Sequence, residues 1–171
     1  MKRTLVVVGH QNYEKSNYNK KLVESLKDLP NVDVHVIKEN FDVSQEQKLL
    51  AEHDNIVFQF PFTWYNLSPL FKSWFDKVFV RGFAYGDGGN KLEGKNFAIA
   101  ITTSSFAEAY THSGHNKYTV DEFLTPTKAT INFARGNLKG IFALHGCMPN
   151  GISENELAKK LKEYKSFVAA L

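Results

Sequence analysis

The chain has 171 residues, of which 43% are hydrophobic and 23% charged, with a net charge of +3. That is enough for one domain over residues 1–171 with a sizeable core, and too little for two. Scattered basic residues give no electrostatic argument for a nucleic-acid partner, the longest apolar runs are strand-sized rather than membrane-spanning, and Lys2-Arg3 leads straight into a strand rather than a cleavable leader. The lone cysteine, Cys147, leaves no internal disulfide and fits a reducing compartment, so the chain is expected in the cytoplasm.

Thr4 to Val8 reads as a buried strand, followed by a polar loop from Gly9 to Asn19 and a helix with Leu22, Leu26 and Leu29 on one side. Val32, Val34 and Val36 alternate with Asp33 and His35, the pattern of a strand with one more exposed face and a candidate for a sheet edge. Ser44-x-x-Gln47 offers a capping box for a helix ending near His53. Ile56 to Phe60 is a third strand, stopped by Pro61 and followed by the aromatic loop Phe62 to Tyr65. Ser68 then caps a helix with Pro69 at its first position, where a missing N–H costs nothing. Leu67, Leu70, Phe71, Trp74, Phe75 and Val78 form the face of that helix that packs on a sheet. A glycine-rich turn at Asp87-Gly88-Gly89 precedes a fourth strand, Phe97 to Ile101, whose polar exit from Thr102 to His115 carries no helical stripe. Helix resumes near Thr119, with Pro126 either bending it or opening a second segment, and Gly136 is placed as its C′ stop. Lys139 to Leu144 is a fifth strand. Ser153-x-x-Glu156 caps a last helix bearing Leu157, Leu161, Tyr164 and Val168.

Strands alternating with helices, joined by right-handed crossovers, predict an α/β doubly wound sheet of five parallel strands in the order 2-1-3-4-5, with helices on both faces. Ligands in such sheets bind at the carboxyl ends of the strands, where the order reverses. The loops after strands 1, 3 and 4 meet there. In the first, Ser16, Asn17, Tyr18 and Asn19 open a helix whose free N–H groups suit a phosphate. No P-loop or dinucleotide fingerprint accompanies them. In the second, beginning at Pro61, the rings of Phe62, Trp64 and Tyr65 with Thr63 can stack on a flat heteroaromatic ligand. The third is hydroxyl-rich, Thr102-Thr103-Ser104-Ser105-Phe106, and then carries Tyr110 and His115, which can steady negative charge or pass a proton. A phosphate seat, an aromatic wall and a polar third wall fit flavin mononucleotide (FMN) better than a sugar phosphate. His112-x-x-His115 and His145-Gly-Cys147 each offer two metal ligands, but no third partner completes either set, and no metal is expected.

At these residues the chain resembles the flavodoxin-like NAD(P)H:quinone oxidoreductases, the group that includes DT-diaphorase, the modulator-of-drug-activity proteins and the ancillary subunits of glutathione-gated potassium efflux systems. The resemblance runs over nearly the whole chain. Its most specific part is the Gln-x-Pro-x-x-Trp-Tyr segment at Gln59 to Tyr65, the helix Phe71 to Val78 and the turn Gly82 to Gly86. The family's phosphate loop maps onto Gly9, His10, Ser16 and Asn19, with Gln11 where proline is frequent. Its flavin-lining Thr-Thr-Gly-Gly is replaced by Thr102-Thr103-Ser104-Ser105; if a positive φ is needed there, the two serines must adopt it with a Cβ. Tyr110 and His115 correspond to the family's tyrosine and histidine beside the reduced flavin, with a one-residue length difference before the histidine.

The resemblance implies a homodimeric enzyme that passes hydride in ping-pong fashion from NADPH or NADH to a quinone. FMN is preferred, since no adenosine-binding extension is evident, although the family also uses FAD. As the alternative it allows a flavin-binding regulatory subunit of a glutathione-gated potassium efflux system, on a membrane transporter. A one-electron carrier ranks below both, because such carriers are usually acidic.

Overall fold

The computed structural model describes residues 2–171. Its sheet contains β1 (Thr4–Val8), β2 (Val32–Val36), β3 (Asn55–Pro61), β4 (Asn96–Thr102) and β5 (Asn137–Leu144), in the order β2-β1-β3-β4-β5. Every pairing is parallel, so all five carboxyl ends lie along one edge. This is the doubly wound α/β arrangement that the alternation of elements predicts.

The helices are α1 (Tyr18–Glu24), α2 (Val43–Glu52), α3 (Pro69–Val78), α4 (Val120–Phe123), α5 (Thr125–Phe133) and α6 (Glu154–Ala169). Alternate residues of each strand face opposite ways, and this divides the core in two. Leu5, Val7, Phe58 and Ile99 pack with Leu50 of α2, with Phe71, Trp74, Phe75 and Val78 of α3, and with Ile131 of α5. Val6, Val8, Val57 and Ala100 pack with Leu22 of α1 and with Leu157, Tyr164 and Val168 of α6. Among the described residues, no helix is long and apolar enough to cross a membrane.

Local chemistry departs from the sequence reading in three places and decides one reading left open. Asp42, not Ser44, caps α2: its Oδ1 accepts from the N–H groups of Ser44 (2.8 Å) and Gln45 (3.1 Å), while Gln47 donates its side-chain amide to the Val78 carbonyl at 3.0 Å. Helix α1 stops at Glu24, and Leu26 reaches the core from the turn that follows. Of the two readings left open at Pro126 the second holds: it opens a separate helix, α5, after the capping box between Thr119 and Glu122 starts α4. The left-handed residue that ends α5 is Arg135 (φ 59°), one position before the expected glycine. Gly136 donates to the Ile131 carbonyl at 3.0 Å and Arg135 to Asn132 at 2.9 Å, the paired bonds of a Schellman turn. Glycine is still required at position 136, because a Cβ would lie 2.4 Å from the Phe97 ring.

Strand β2 is the expected edge, but its polar side is tied to the molecule. His35 meets the Glu46 carboxylate at 2.8 Å, and the other oxygen of that buried carboxylate accepts from Trp74 Nε1 at 2.8 Å. Asp33 bridges Arg3 and the buried His53, each at 2.8 Å.

Candidate functional site

A cleft of about 540 Å³ opens over the carboxyl ends of β1, β3 and β4. Its floor is a buried polar network. Gln59 on β3 donates to both the backbone and side-chain oxygens of Asn19 (3.1 Å each) and accepts from the Tyr164 hydroxyl at 2.7 Å, while Asn19 donates to Thr102 Oγ1 at 3.1 Å. The ends of β3 and β4, the start of α1 and the middle of α6 are thereby locked together beneath the site, with every side chain using its hydrogen-bonding groups. Burial raises the pKa of Tyr164, so this hydroxyl stays protonated.

The first wall is the loop after β1. Gly9 donates to the Gln59 carbonyl at 2.9 Å, and its own carbonyl accepts from Ser68 Oγ at 2.9 Å. A Cβ at Gly9 would sit 2.2 Å from the Phe71 ring, so only glycine lets the loop lie on the start of α3. Ser16 is extended (φ −76°, ψ 123°) and accepts the Asn19 N–H at 3.2 Å, as an N-cap residue does. Among the described residues, the N–H groups of Asn17 and Tyr18 find no acceptor within the chain, and both residues line the cleft. Half-buried His10 accepts from the Asn12 N–H on Nδ1 at 3.0 Å, and burial lowers its pKa, so the ring is neutral with its proton on Nε2.

The second wall is the loop after β3. Thr63 and Asn66 pair across a tight turn whose two central residues, Trp64 (φ 50°) and Tyr65 (φ 62°), are both left-handed. Each such L-residue costs about 1–2 kcal/mol, and none of that is relieved here by glycine. The turn divides the aromatic wall. Phe62 is buried and Trp64 stands 87% exposed at the cleft. Tyr65 turns away from the lining, stacking on Phe123 (4.7 Å, 15°) and donating its hydroxyl to Asn116 at 3.1 Å.

The third wall is the exit of β4. Thr103 and Ser104 line the cleft, and neither Ser104 nor Ser105 has a positive φ, so replacing the glycines of the resembled pattern puts no strain on this backbone. The Ser105 carbonyl accepts from Thr103 Oγ1 at 2.8 Å and from the Gly146 N–H at 3.1 Å, away from the lining. Phe106 is half-exposed over a separate hollow shared with His145 and Lys160. Tyr110 lies behind the lining, buried among Phe62 (6.4 Å), Phe123 (6.3 Å) and His145 (5.3 Å). Burial raises its pKa and keeps the phenol protonated. His115 is exposed and also outside the lining.

A fourth wall, Cys147 to Pro149 after β5, escaped the sequence reading. The signal was present, since a parallel sheet delivers the loop after its last strand to the same edge. Tyr18 donates its hydroxyl to the Met148 carbonyl at 3.0 Å, and the Cys147 N–H reaches the Thr103 carbonyl at 2.8 Å. Burial pushes the Cys147 thiol up to about 12, so it is an inert part of the wall and not a nucleophile. Among the described residues, no group of three His, Cys, Asp or Glu side chains is placed to hold a metal ion.

Comparison with known proteins places this geometry in context. A family model described as a flavodoxin-like fold matches residues 2–168. The chain is 40% identical over 167 residues to an uncharacterized NAD(P)H oxidoreductase of Bacillus subtilis, YdeQ, covering 95% of this chain and 84% of that one. It is 36% identical over 172 residues to KefG of Cronobacter sakazakii, an ancillary protein of the glutathione-regulated potassium-efflux system, covering 98% and 92%. Among solved structures, an NADPH-quinone reductase from P. pentosaceus superposes with a TM-score of 0.93 at 28% identity, covering 99% of each chain. General stress protein 14 of Treponema denticola, solved in complex with FMN, superposes with a TM-score of 0.90 at 29% identity, covering 98% of each.

Proposed function

This chain belongs to the flavodoxin-like family, and from that premise we propose that it is a cytoplasmic FMN-dependent NAD(P)H:quinone oxidoreductase, a single domain over residues 1–171 that works as a homodimer. The observation that carries the reading is the cleft itself. Its volume of about 540 Å³ suits a ligand of this size, and it sets the two unpartnered amides of Asn17 and Tyr18 opposite an exposed tryptophan and a hydroxyl-lined wall. Those amides, with Ser16 and Asn19, would hold the phosphate; Phe62 to Trp64 and Thr103 to Ser104 would flank the ring system. When bound, FMN supplies hydride transfer between NAD(P)H and a quinone. The chain contributes position and exclusion of water: the floor network fixes three walls, and Tyr110, held protonated behind the lining, would have to reach past Thr103 to donate to a carbonyl oxygen that gains negative charge.

The visible absorption spectrum of the purified chain, followed by chromatography of whatever heat releases, tests the cofactor. NADH- or NADPH-dependent reduction of menadione tests the activity. A colourless protein that fails to bind added FMN overturns the reading. The similarity to KefG favours a second role, as an ancillary subunit on a potassium-efflux transporter, which stoichiometric co-purification with that transporter would support.

A further inference from the structure

His145, the first residue after β5, stands behind the third wall of the cleft. Its Nδ1 lies 2.9 Å from Thr103 Oγ1, and its ring lies 5.3 Å from that of Tyr110. Thr103 lines the cleft, whereas His145 lines the smaller hollow shared with Phe106 and Lys160. His145 therefore touches the lining from behind, while His115 is exposed and outside it.

The hydrogen bonds around Thr103 fix where the proton of His145 resides. A threonine hydroxyl has one hydrogen, and the Ser105 carbonyl, which can only accept, lies 2.8 Å from Oγ1. That hydrogen is spent on Ser105, so the approach of His145 is attractive only when Nδ1 carries a proton and donates it. Burial, aided by the positive charge of Lys160 and opposed by Glu108, lowers the pKa of His145. The ring is then neutral, with its single proton on Nδ1, the reverse of His10.

This bond completes a clasp between two loops. The Thr103 N–H donates to the Leu144 carbonyl at 2.9 Å, the Cys147 N–H to the Thr103 carbonyl at 2.8 Å and the Gly146 N–H to the Ser105 carbonyl at 3.1 Å. Those three bonds hold backbone to backbone. His145 alone among them acts on a side chain, and without its donor the Thr103 hydroxyl keeps one bond of two and is free to turn to another rotamer.

We propose that His145 is the positioning residue of the third wall: its Nδ1–H holds the Thr103 hydroxyl on the Ser105 carbonyl, and so sets the face that Thr103 and Ser104 present to a flavin ring. The use of that face rests on the proposed FMN site, whereas the bond from His145 to Thr103 is a property of the free chain.

The test begins without flavin. In flavin-free protein labelled with nitrogen-15 at histidine, long-range proton–nitrogen correlation at pH 8 reports which ring nitrogen is protonated, and His145→Asn assigns the resonance. His145 gives the Nδ1–H form, the minor tautomer of a free histidine side chain. Thr103→Val, which removes the acceptor, returns it to Nε2–H. Fluorescence titration with FMN then compares three variants. Asparagine places its amide nitrogen where Nδ1 stood and glutamine places its own where Nε2 stood. His145→Asn therefore stays within about twofold of the wild-type Kd, while His145→Gln and His145→Leu bind FMN about three- to tenfold more weakly, the loss of one hydrogen bond. A proton found on Nε2 in the wild type, or a tautomer indifferent to Thr103→Val, overturns the proposal. So does equal weakening by His145→Asn and His145→Gln, or unchanged affinity in all three variants. If the wild-type chain binds no FMN, the reading of the cleft fails, and the tautomer still decides the bond between His145 and Thr103.

Discussion

Replacing Trp64 with glycine separates strain from binding at one position. Trp64 is 87% exposed, so its removal forfeits almost no buried area, and its φ of 50° is unfavourable for any L-residue. Relief of the left-handed backbone is worth about 1–2 kcal/mol. The greater freedom of glycine in the unfolded chain returns about 0.5–1 kcal/mol of that. The folded protein should therefore gain up to about 1.5 kcal/mol, raising Tm by roughly 2–4 °C per kcal/mol for a chain of this size. Binding moves the other way. Losing one stacked aromatic costs about 0.5–1.5 kcal/mol, which weakens FMN affinity roughly two- to tenfold. Thermal unfolding of the flavin-free protein and a fluorescence titration of FMN measure the two quantities independently. A lower Tm would mean that Trp64 makes contacts the structure does not contain; an unchanged Kd would remove Trp64 from the flavin wall.

Three further outcomes follow from the same geometry. Trp74→Ala should cost about 3–5 kcal/mol in urea unfolding, because it empties a fully buried site and takes the indole donor from the buried Glu46 carboxylate; a loss below 1 kcal/mol, on the order of a surface change, would contradict the packing. Cys147 should react with a thiol reagent at pH 8 about a thousandfold more slowly than a free cysteine, since a rise from 9.0 to about 12 reduces the thiolate in that proportion, and urea should restore ordinary reactivity. Hydrogen bonds from the Thr119 N–H and hydroxyl, and from His112, hold Glu122 down at about 2, below its ordinary 4.5. A depressed carboxylate stabilises the fold above the unfolded value and loses that contribution as pH falls from 4.5 toward 2, so the difference between wild type and Glu122→Gln should shrink across that window; a constant difference refutes the assignment.

Much of the site could be read from sequence because its parts are local. The β1 loop announces itself through Ser16 to Asn19 at a helix start, the β3 loop through a strand, a proline and a run of rings, and the β4 loop through its hydroxyls. Cys147 to Pro149 were missed since the reading followed the loops at the reversal of strand order and left out the one beside them. The division within Phe62 to Tyr65 could not be read at all, because it depends on two left-handed residues and on Phe123, 58 positions beyond Tyr65.

The sequence by itself determined the element order, the parallel sheet and the edge position of β2, since each follows from periodicity, capping residues and the handedness of crossovers acting over a few turns of chain. Tertiary structure alone decided which groups share a partner. Gln59 meets Tyr164 across 105 residues and Tyr65 meets Asn116 across 51, the second bond holding Asn116 inward while His115 next to it stays exposed. Burial makes such pairings costly to leave unmade, and burial is a property of the assembled fold rather than of any stretch of the chain.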